Sequence, residues 1–176
     1  GSSQSTETLI TGNIRTGAEY LVDVQNAAGL DNWEQYSYPE INAQEIVWSR
    51  EKSLFVVVGN GTGGSNYCVT SPDGKTWTTR TFSDIDASGV TWSPELELFV
   101  AIGTKTPYCN TSPDGETWTT RTFSGMTQPT DVKWVSELGF FIAVGINTTV
   151  TNISQDGINW TTYSSFTEID AQEVIW

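Results

Sequence analysis

The chain contains no histidine, which removes the commonest general base, the usual centre of a nucleophilic triad and the commonest transition-metal ligand. Its two cysteines, Cys68 and Cys109, therefore have no imidazole to activate them. Methionine occurs once and lysine four times, so strong helix formers are scarce. No apolar run approaches the roughly 20 residues of a membrane-spanning helix, and no membrane insertion is expected. Positive charge is also sparse: eight Lys and Arg against 21 Asp and Glu leave a formal charge of −13. Such a surface repels phosphate, which argues against nucleic acid as a partner, and it keeps a β-rich chain soluble with its sheet edges unpaired.

What is present points to β-structure. Eight Trp, seven Phe and six Tyr dominate the large apolar residues, and sixteen Gly and six Pro supply turns among many Ser and Thr. The length, 176 residues, suits one well-buried domain.

The chain repeats. SPDGKTWTTRTFS at 71–83 returns as SPDGETWTTRTFS at 112–124 and, more loosely, as SQDGINWTTYSS at 154–165; NAAGLDNWEQYS at 26–37 is a degenerate fourth copy. Trp33, Trp77, Trp118 and Trp160 form one series, and Trp48, Trp92, Trp134 and Trp176 a second, with steps of 41 to 44 residues in both. That period is the size of a four-stranded propeller blade. Each unit offers four short strands, here lettered a to d. Strand a ends in the second-series Trp. Strand b is a continuous apolar run (LFVVVG, LFVAIG, FFIAVG), the mark of a strand covered on both faces. Strand c holds the Tyr-Cys-x-Thr-Ser string, and strand d is TWTTRTF. Because Cys68 and Cys109 are equivalents in successive units, they read as buried free thiols.

The expected fold is an all-β propeller of four four-stranded blades. Residues 1–6 read as a linker and 7–176 as one domain: blade 1 at 7–37 plus 171–176, blade 2 at 43–83, blade 3 at 88–124 and blade 4 at 130–165. TLITGNIRTGAEYLVDVQ aligns with strands b and c but lacks a strand a, while AQEVIW at 171–176 nearly duplicates AQEIVW at 43–48. The last strand can thus complete the first blade and close the ring. A closed monomer is preferred to a strand-exchanged, eight-bladed dimer.

The Ser-x-Asp-Gly-x-x-Trp string reads as a c–d turn. Gly74, Gly115 and Gly157 supply positive φ, the carboxylates of Asp73, Asp114 and Asp156 accept turn N–H groups, and Trp77, Trp118 and Trp160 enter the apolar layer. The motif recurs once per blade and so is expected to be structural. These strings resemble the Asp-box (BNR-repeat) propellers, which include sialidases, and are similar to propeller repeats of bacteriophage tail and fibre proteins. The usual box is one residue longer. The resemblance covers the chain from Leu9 and implies the propeller fold; its phage branch implies a place on a virion or outside the cell. A sialidase would need three convergent arginines and a tyrosine nucleophile. The chain has only Arg15, Arg50, Arg80 and Arg121, and Arg80 and Arg121 are equivalents on outer strands.

The chain is accordingly expected not to be an enzyme and to need no cofactor or metal. Two sets of residues remain as candidates. Loops b–c and d–a share one face and carry Asn60, Asn66, Tyr67, Pro107, Tyr108 and Tyr38, suited to hydrogen bonding and stacking with a sugar. Three residues before each second-series Trp stand Glu45, Gly89, Asp131 and Glu173, so Glu45, Asp131 and Glu173 form either a cation-holding ring at the axis or a solvated polar rim. The function read from this is a recognition or display module for a glycan or protein surface within a larger assembly such as a phage tail. The alternatives are a purely architectural propeller or piece of one and, behind both, a glycoside hydrolase.

Overall fold

The chain divides between Gln35 and Tyr36 into two units. The computed structural model describes residues 39, 41–60, 66–82, 85–105, 108–123, 125–126, 128–146, 148–169 and 171–173, all in the second unit. The first blade expected at 7–37, and with it the predicted partner strand for 171–176, lies outside the described residues.

The described residues form twelve strands and no helix. They are β1 (Asn42–Ser49), β2 (Leu54–Asn60), β3 (Asn66–Ser71), β4 (Thr78–Arg80), β5 (Ala87–Ser93), β6 (Leu98–Gly103), β7 (Tyr108–Ser112), β8 (Thr119–Thr122), β9 (Pro129–Val135), β10 (Phe140–Gly145), β11 (Thr148–Ser154) and β12 (Thr161–Ile169). They make three four-stranded sheets in the orders β1-β2-β3-β4, β5-β6-β7-β8 and β12-β11-β10-β9, every neighbouring pair antiparallel. Each sheet is a meander in chain order and corresponds to one sequence repeat, with strands a, b, c and d laid side by side.

The apolar b strands explain how the sheets pack. In β6, Val100, Ala101 and Ile102 are fully buried although successive residues face opposite sides. Val56, Val58, Cys68 and Phe82 of the first sheet share a core with Val90, Trp92, Phe99 and Ala101 of the second. Val100, Ile102, Cys109 and Phe123 of the second do the same with Val132, Phe141 and Ala143 of the third. Each sheet therefore covers its neighbour. The buried free thiols of Cys68 and Cys109 are part of this layer, and burial pushes each up to about 12.

The second tryptophan series crosses the same interfaces. Trp92 lies on Phe99 with ring centres 4.3 Å apart, and its Nε1–H donates to Glu51 Oε2 of the preceding sheet at 2.8 Å. Trp134 repeats this with Phe141 at 4.6 Å and Glu95 Oε2 at 2.7 Å. Trp48 has its phenylalanine, Phe55 at 4.3 Å, but remains 43% exposed against 7% for Trp92. The face of the first sheet around Ile46, Val57, Val69 and Trp77 is correspondingly open, with a hollow of about 280 Å³.

The Ser-x-Asp-Gly turn is built three times with the same serine and aspartate bonds, and the tryptophan Nε1–H reaches the glycine carbonyl in the first two copies but not at Trp160. In the second copy, Ser112 Oγ accepts the N–H groups of Asp114 and Gly115 at 3.3 and 2.8 Å and donates to Asp114 Oδ1 at 2.9 Å. That same Oδ1 accepts the N–H groups of Glu116 and Thr117 at 2.8 and 2.7 Å. Gly115, at φ 74°, turns the chain so that Trp118 Nε1–H reaches its carbonyl at 3.1 Å. Trp118 then meets Phe82 of the preceding sheet edge-on at 5.0 Å, as Trp160 meets Phe123 at 4.9 Å. A Cβ on Gly115 would come within 2.9 Å of Leu54 and Val56 of the preceding sheet, so the turn needs glycine for space as well as for φ.

Two predictions follow from this turn. Ser112→Ala leaves the buried Gly115 N–H without its acceptor, and should cost about 1–3 kcal/mol in urea unfolding; an unchanged midpoint would contradict the role given to the hydroxyl. The second concerns acid. The N–H groups of Thr76 and Lys75, with the Ser71 hydroxyl, hold Asp73 at about 2. At Asp156 partial burial pushes upward but is outweighed by the N–H and side-chain amide of Asn159 and the N–H of Ile158, and this carboxyl also lies at about 2. A carboxyl depressed in the folded state contributes stability above its unfolded value near 4 and loses it as pH falls through the folded value. Melting temperature should therefore decline between about pH 4 and pH 2, and D73N/D156N should flatten that decline; a limb of the same steepness in the double variant refutes the assignment.

Candidate functional site

The a strands begin at one end of each sheet, and all three carry the same irregularity there. In β1, Ala43 pairs with Gly59 and Glu45 with Val58, leaving Gln44 unpaired. Ser88 in β5 and Thr130 in β9 occupy the same bulge. A bulge re-aims the extra side chain and tends to sit beside binding sites. Here Gln44, Ser88 and Thr130 line one pocket of about 410 Å³, together with Glu45, Ile46, Asp131, Gln172 and Glu173. Gln172 stands where the fourth repeat places the residue equivalent to Gln44. Positions from four successive repeats thus meet at one cavity.

Hydrogen bonds carry the chain from one a strand to the next. Ser88 Oγ donates to Pro129 O at 2.7 Å, and one repeat later Thr130 Oγ1 donates to Ala171 O at 2.7 Å. Ala171 N–H also bonds Gly145 O at 3.1 Å, which holds 171–173 beside the third sheet.

One side of the pocket carries an ion cluster. Lys133 Nζ contacts Glu45 Oε1 and lies 3.1 Å from Asp131 Oδ1. The other oxygen of Glu45 accepts Val90 N–H at 2.7 Å, and Asp131 Oδ1 accepts Val132 N–H at 2.7 Å. Glu45 crosses from β1 to β9 over Gly89, where an added Cβ would lie 3.2 Å from its Oε2. Burial raises the Glu45 carboxyl above its ordinary range against the pull of Lys133 and Val90 N–H. Desolvation weakens the Lys133 ammonium, but Glu45 and Asp131 outweigh it and the net shift is upward.

Of the three residues read as an acidic ring, two, Glu45 and Asp131, meet on one lysine, while Glu173 is an exposed part of the pocket wall. Among the described residues, no group of three His, Cys, Asp or Glu side chains could hold a metal ion. The b–c and d–a loops do come together: Thr104 and Lys105 N–H groups bond to Asp86 and Ile85 carbonyls, and Ile146 N–H to Gln128 O. Asn60 lies on this face, its Oδ1 accepting from Asn42 Nδ2 at 2.6 Å. Asn66, Tyr67 and Tyr108 are placed by backbone pairing with Asn60, Gly59 and Thr122. Tyr38 and Pro107 lie outside the described residues. Arg80 and Arg121 sit on separate outer strands, each with its Nε donating to a threonine, Thr70 and Thr111.

The sequence reading missed Lys133 and the bulge residues. Aligned repeats show a polar residue at 44, 88, 130 and 172, a signal that was open to use. Lys133 has no counterpart, because Val47 and Thr91 hold its place in the other two sheets.

No family model matches the chain, and no curated protein matches it. Solved structures do. A chain of a nidogen/laminin complex is similar with a TM-score of 0.51 over 64% of this chain and 42% of that one, at 12% identity. A gluconolactonase from Xanthomonas campestris is similar with a TM-score of 0.53 over 81% of this chain and 54% of that one, at 11% identity. This chain spans about half the length of these neighbours, and the likeness is one of fold: an all-β, propeller-like arrangement. Neither is an Asp-box or phage protein by its description. The gluconolactonase corrects one expectation. The absence of histidine and of a nucleophile pair does not by itself exclude catalysis, since a protein of similar fold is an enzyme.

Proposed function

We propose that this chain is a recognition or display module of the Asp-box propeller kind, serving a larger assembly such as a phage tail. Its binding surface is the face of the b–c and d–a loops, with the bulge-lined pocket at its centre. The observation that carries the reading is convergence: Gln44, Ser88, Thr130 and Gln172, one from each repeat, line a single cavity of about 410 Å³. Amides, hydroxyls and carboxylates around such a cavity suit a neutral or weakly cationic partner, a glycan or a protein surface. A sialylated glycan would meet like charge from a chain of −13. Several such modules on one particle would gain avidity from weak individual sites.

The architecture that goes with this reading is four blades per chain, closed by Ala171–Trp176 pairing beside Leu9–Asn13. The bond from Thr130 to Ala171, repeating that from Ser88 to Pro129, supports it, since 171 takes up the position of a fourth a strand. The open face around Ile46 and Trp77 is the kind that the other two sheets have covered.

Two measurements test these statements. NMR titration with a neutral oligosaccharide should shift the amides of Gln44, Asn60, Ser88 and Thr130, and a sialylated one should shift them less. Shifts confined to the Ser112–Trp118 turn, or none with any glycan or candidate partner protein, would sink the recognition reading. For the architecture, removing 171–176 should lower the melting temperature and promote aggregation. An unchanged melting curve argues against closure within the chain, and light scattering at twice 19.3 kDa would favour strand exchange.

A further inference from the structure

We infer that the apolar hollow on the first sheet is the seat of the chain's own segment Tyr36–Pro39, with the Tyr38 ring closing over Trp77. The other two sheets show what such a seat takes. Phe82 lies edge-on against Trp118 with ring centres 5.0 Å apart, and Phe123 stands the same way against Trp160 at 4.9 Å. Each phenylalanine comes from the stretch just ahead of the sheet whose tryptophan it meets, and is 4% and 2% exposed there. Phe82 stands five residues after Trp77 and Phe123 five after Trp118; five residues after Trp33 stands Tyr38. The tethers match as well. Strand β5 begins five residues after Phe82 and β9 six after Phe123, while β1 begins four after Tyr38. Tyr38 also belongs to the same unit of the chain as the three sheets.

The burial on this face fits a cover of that kind. Ile46, Val57 and Val69 stand opposite one another in register across β1, β2 and β3, so their side chains share one side of the sheet. Their exposures fall along that row from 55% at Ile46 to 7% at Val57 and 0% at Val69. Cross-strand neighbours flank such side chains but leave their tips open, because side chains stand roughly perpendicular to the sheet. Burial that grows toward the Trp77 end of the row is therefore supplied from outside the sheet. Ala101, which holds the place of Val57 in the second sheet, is buried in this way by the first sheet. Val69 stands where the other sheets carry Asn110 and Asn152, which makes this seat more apolar and better matched to a ring.

The assignment takes Tyr38 away from the sugar-stacking residues and gives it a place in the fold. It also bears on the polar pocket: Gln44, Glu45 and Ile46 line both that pocket and this hollow, so a segment seated here steadies the strand that forms part of the pocket wall.

Nuclear Overhauser spectra of the native protein, with melting curves of native protein, Y38F and Y38A, test this. Cross-peaks should join the Tyr38 ring to the Trp77 indole. Y38F should melt as the native chain does, and Y38A should melt at least about 5 °C lower, the scale of a lost aromatic contact in a chain of this size. Absence of the cross-peaks, an unchanged melting temperature in Y38A, or a loss in Y38F equal to that in Y38A would each overturn the inference. Should Y38A be recovered unfolded, the native cross-peaks and the melting of Y38F decide.

Discussion

One sheet of this repeat has apolar side chains on both faces and can bury neither by itself. Val100 and Ile102 point to one side of β6 and Ala101 to the other, yet all three are fully buried. Only a neighbouring sheet on each side produces that, and every recurring feature of the chain serves the same contact. The Gly115 turn seats itself on Leu54 and Val56 of the sheet before it, and Trp118 closes over Phe82. Near the same end of the interface the Trp92 indole bonds to Glu51. These are contacts between successive sheets, so the stack of repeats, rather than any single sheet, is what buries its apolar faces.

Polar groups at these interfaces are arranged so that few are left to chance. Each aspartate of the turn uses one oxygen for two successive N–H groups, and the serine before it takes two more. The segment from strand c to strand d thus turns on itself while leaving the tryptophan free to pack. Beside the threonine bond that it shares with Arg121, Arg80 adds an ion pair to Glu116 of the next sheet; one repeat later the residue equivalent to Glu116 is the uncharged Ile158. The ion pair is therefore an accessory of one interface, and the aromatic and turn contacts are common to both described ones.

What could be read in the sequence was what repeats. Strand order, the antiparallel meander, the buried strand b, the free thiols and the once-per-repeat turn were all legible, because three near copies of each cancel local noise. The bulge at Gln44, Ser88 and Thr130 left only a faint trace, since a one-residue register shift changes no periodicity in so short a strand. Lys133 left none: Glu45 lies 88 residues away and two sheets back, and the place of Lys133 in the other two sheets is Val or Thr. The face carrying Asn60 was legible as a face, because antiparallel meanders put alternate loops at one end. Which of its side chains converge was not, because that depends on the bulges. Missing residue types were a poor ground for excluding catalysis, because a protein with a similar fold is an enzyme.

The non-repeating residues are therefore where this chain departs from its own scaffold, and they gather at the inner strands. A repeat that places a carboxylate three residues before each second-series tryptophan would bring four like charges toward one another. The sequence breaks that pattern twice. Gly89 removes one carboxylate and opens a path over β5, and Lys133 supplies a positive charge to two of those that remain. The two changes meet at one place: a Cβ at position 89 would lie 3.2 Å from Glu45 Oε2, the carboxylate whose other oxygen contacts Lys133. With Glu45 and Asp131 both held by Lys133, the bulge residues and Glu173 are the polar groups of the pocket wall that lie outside that ion cluster.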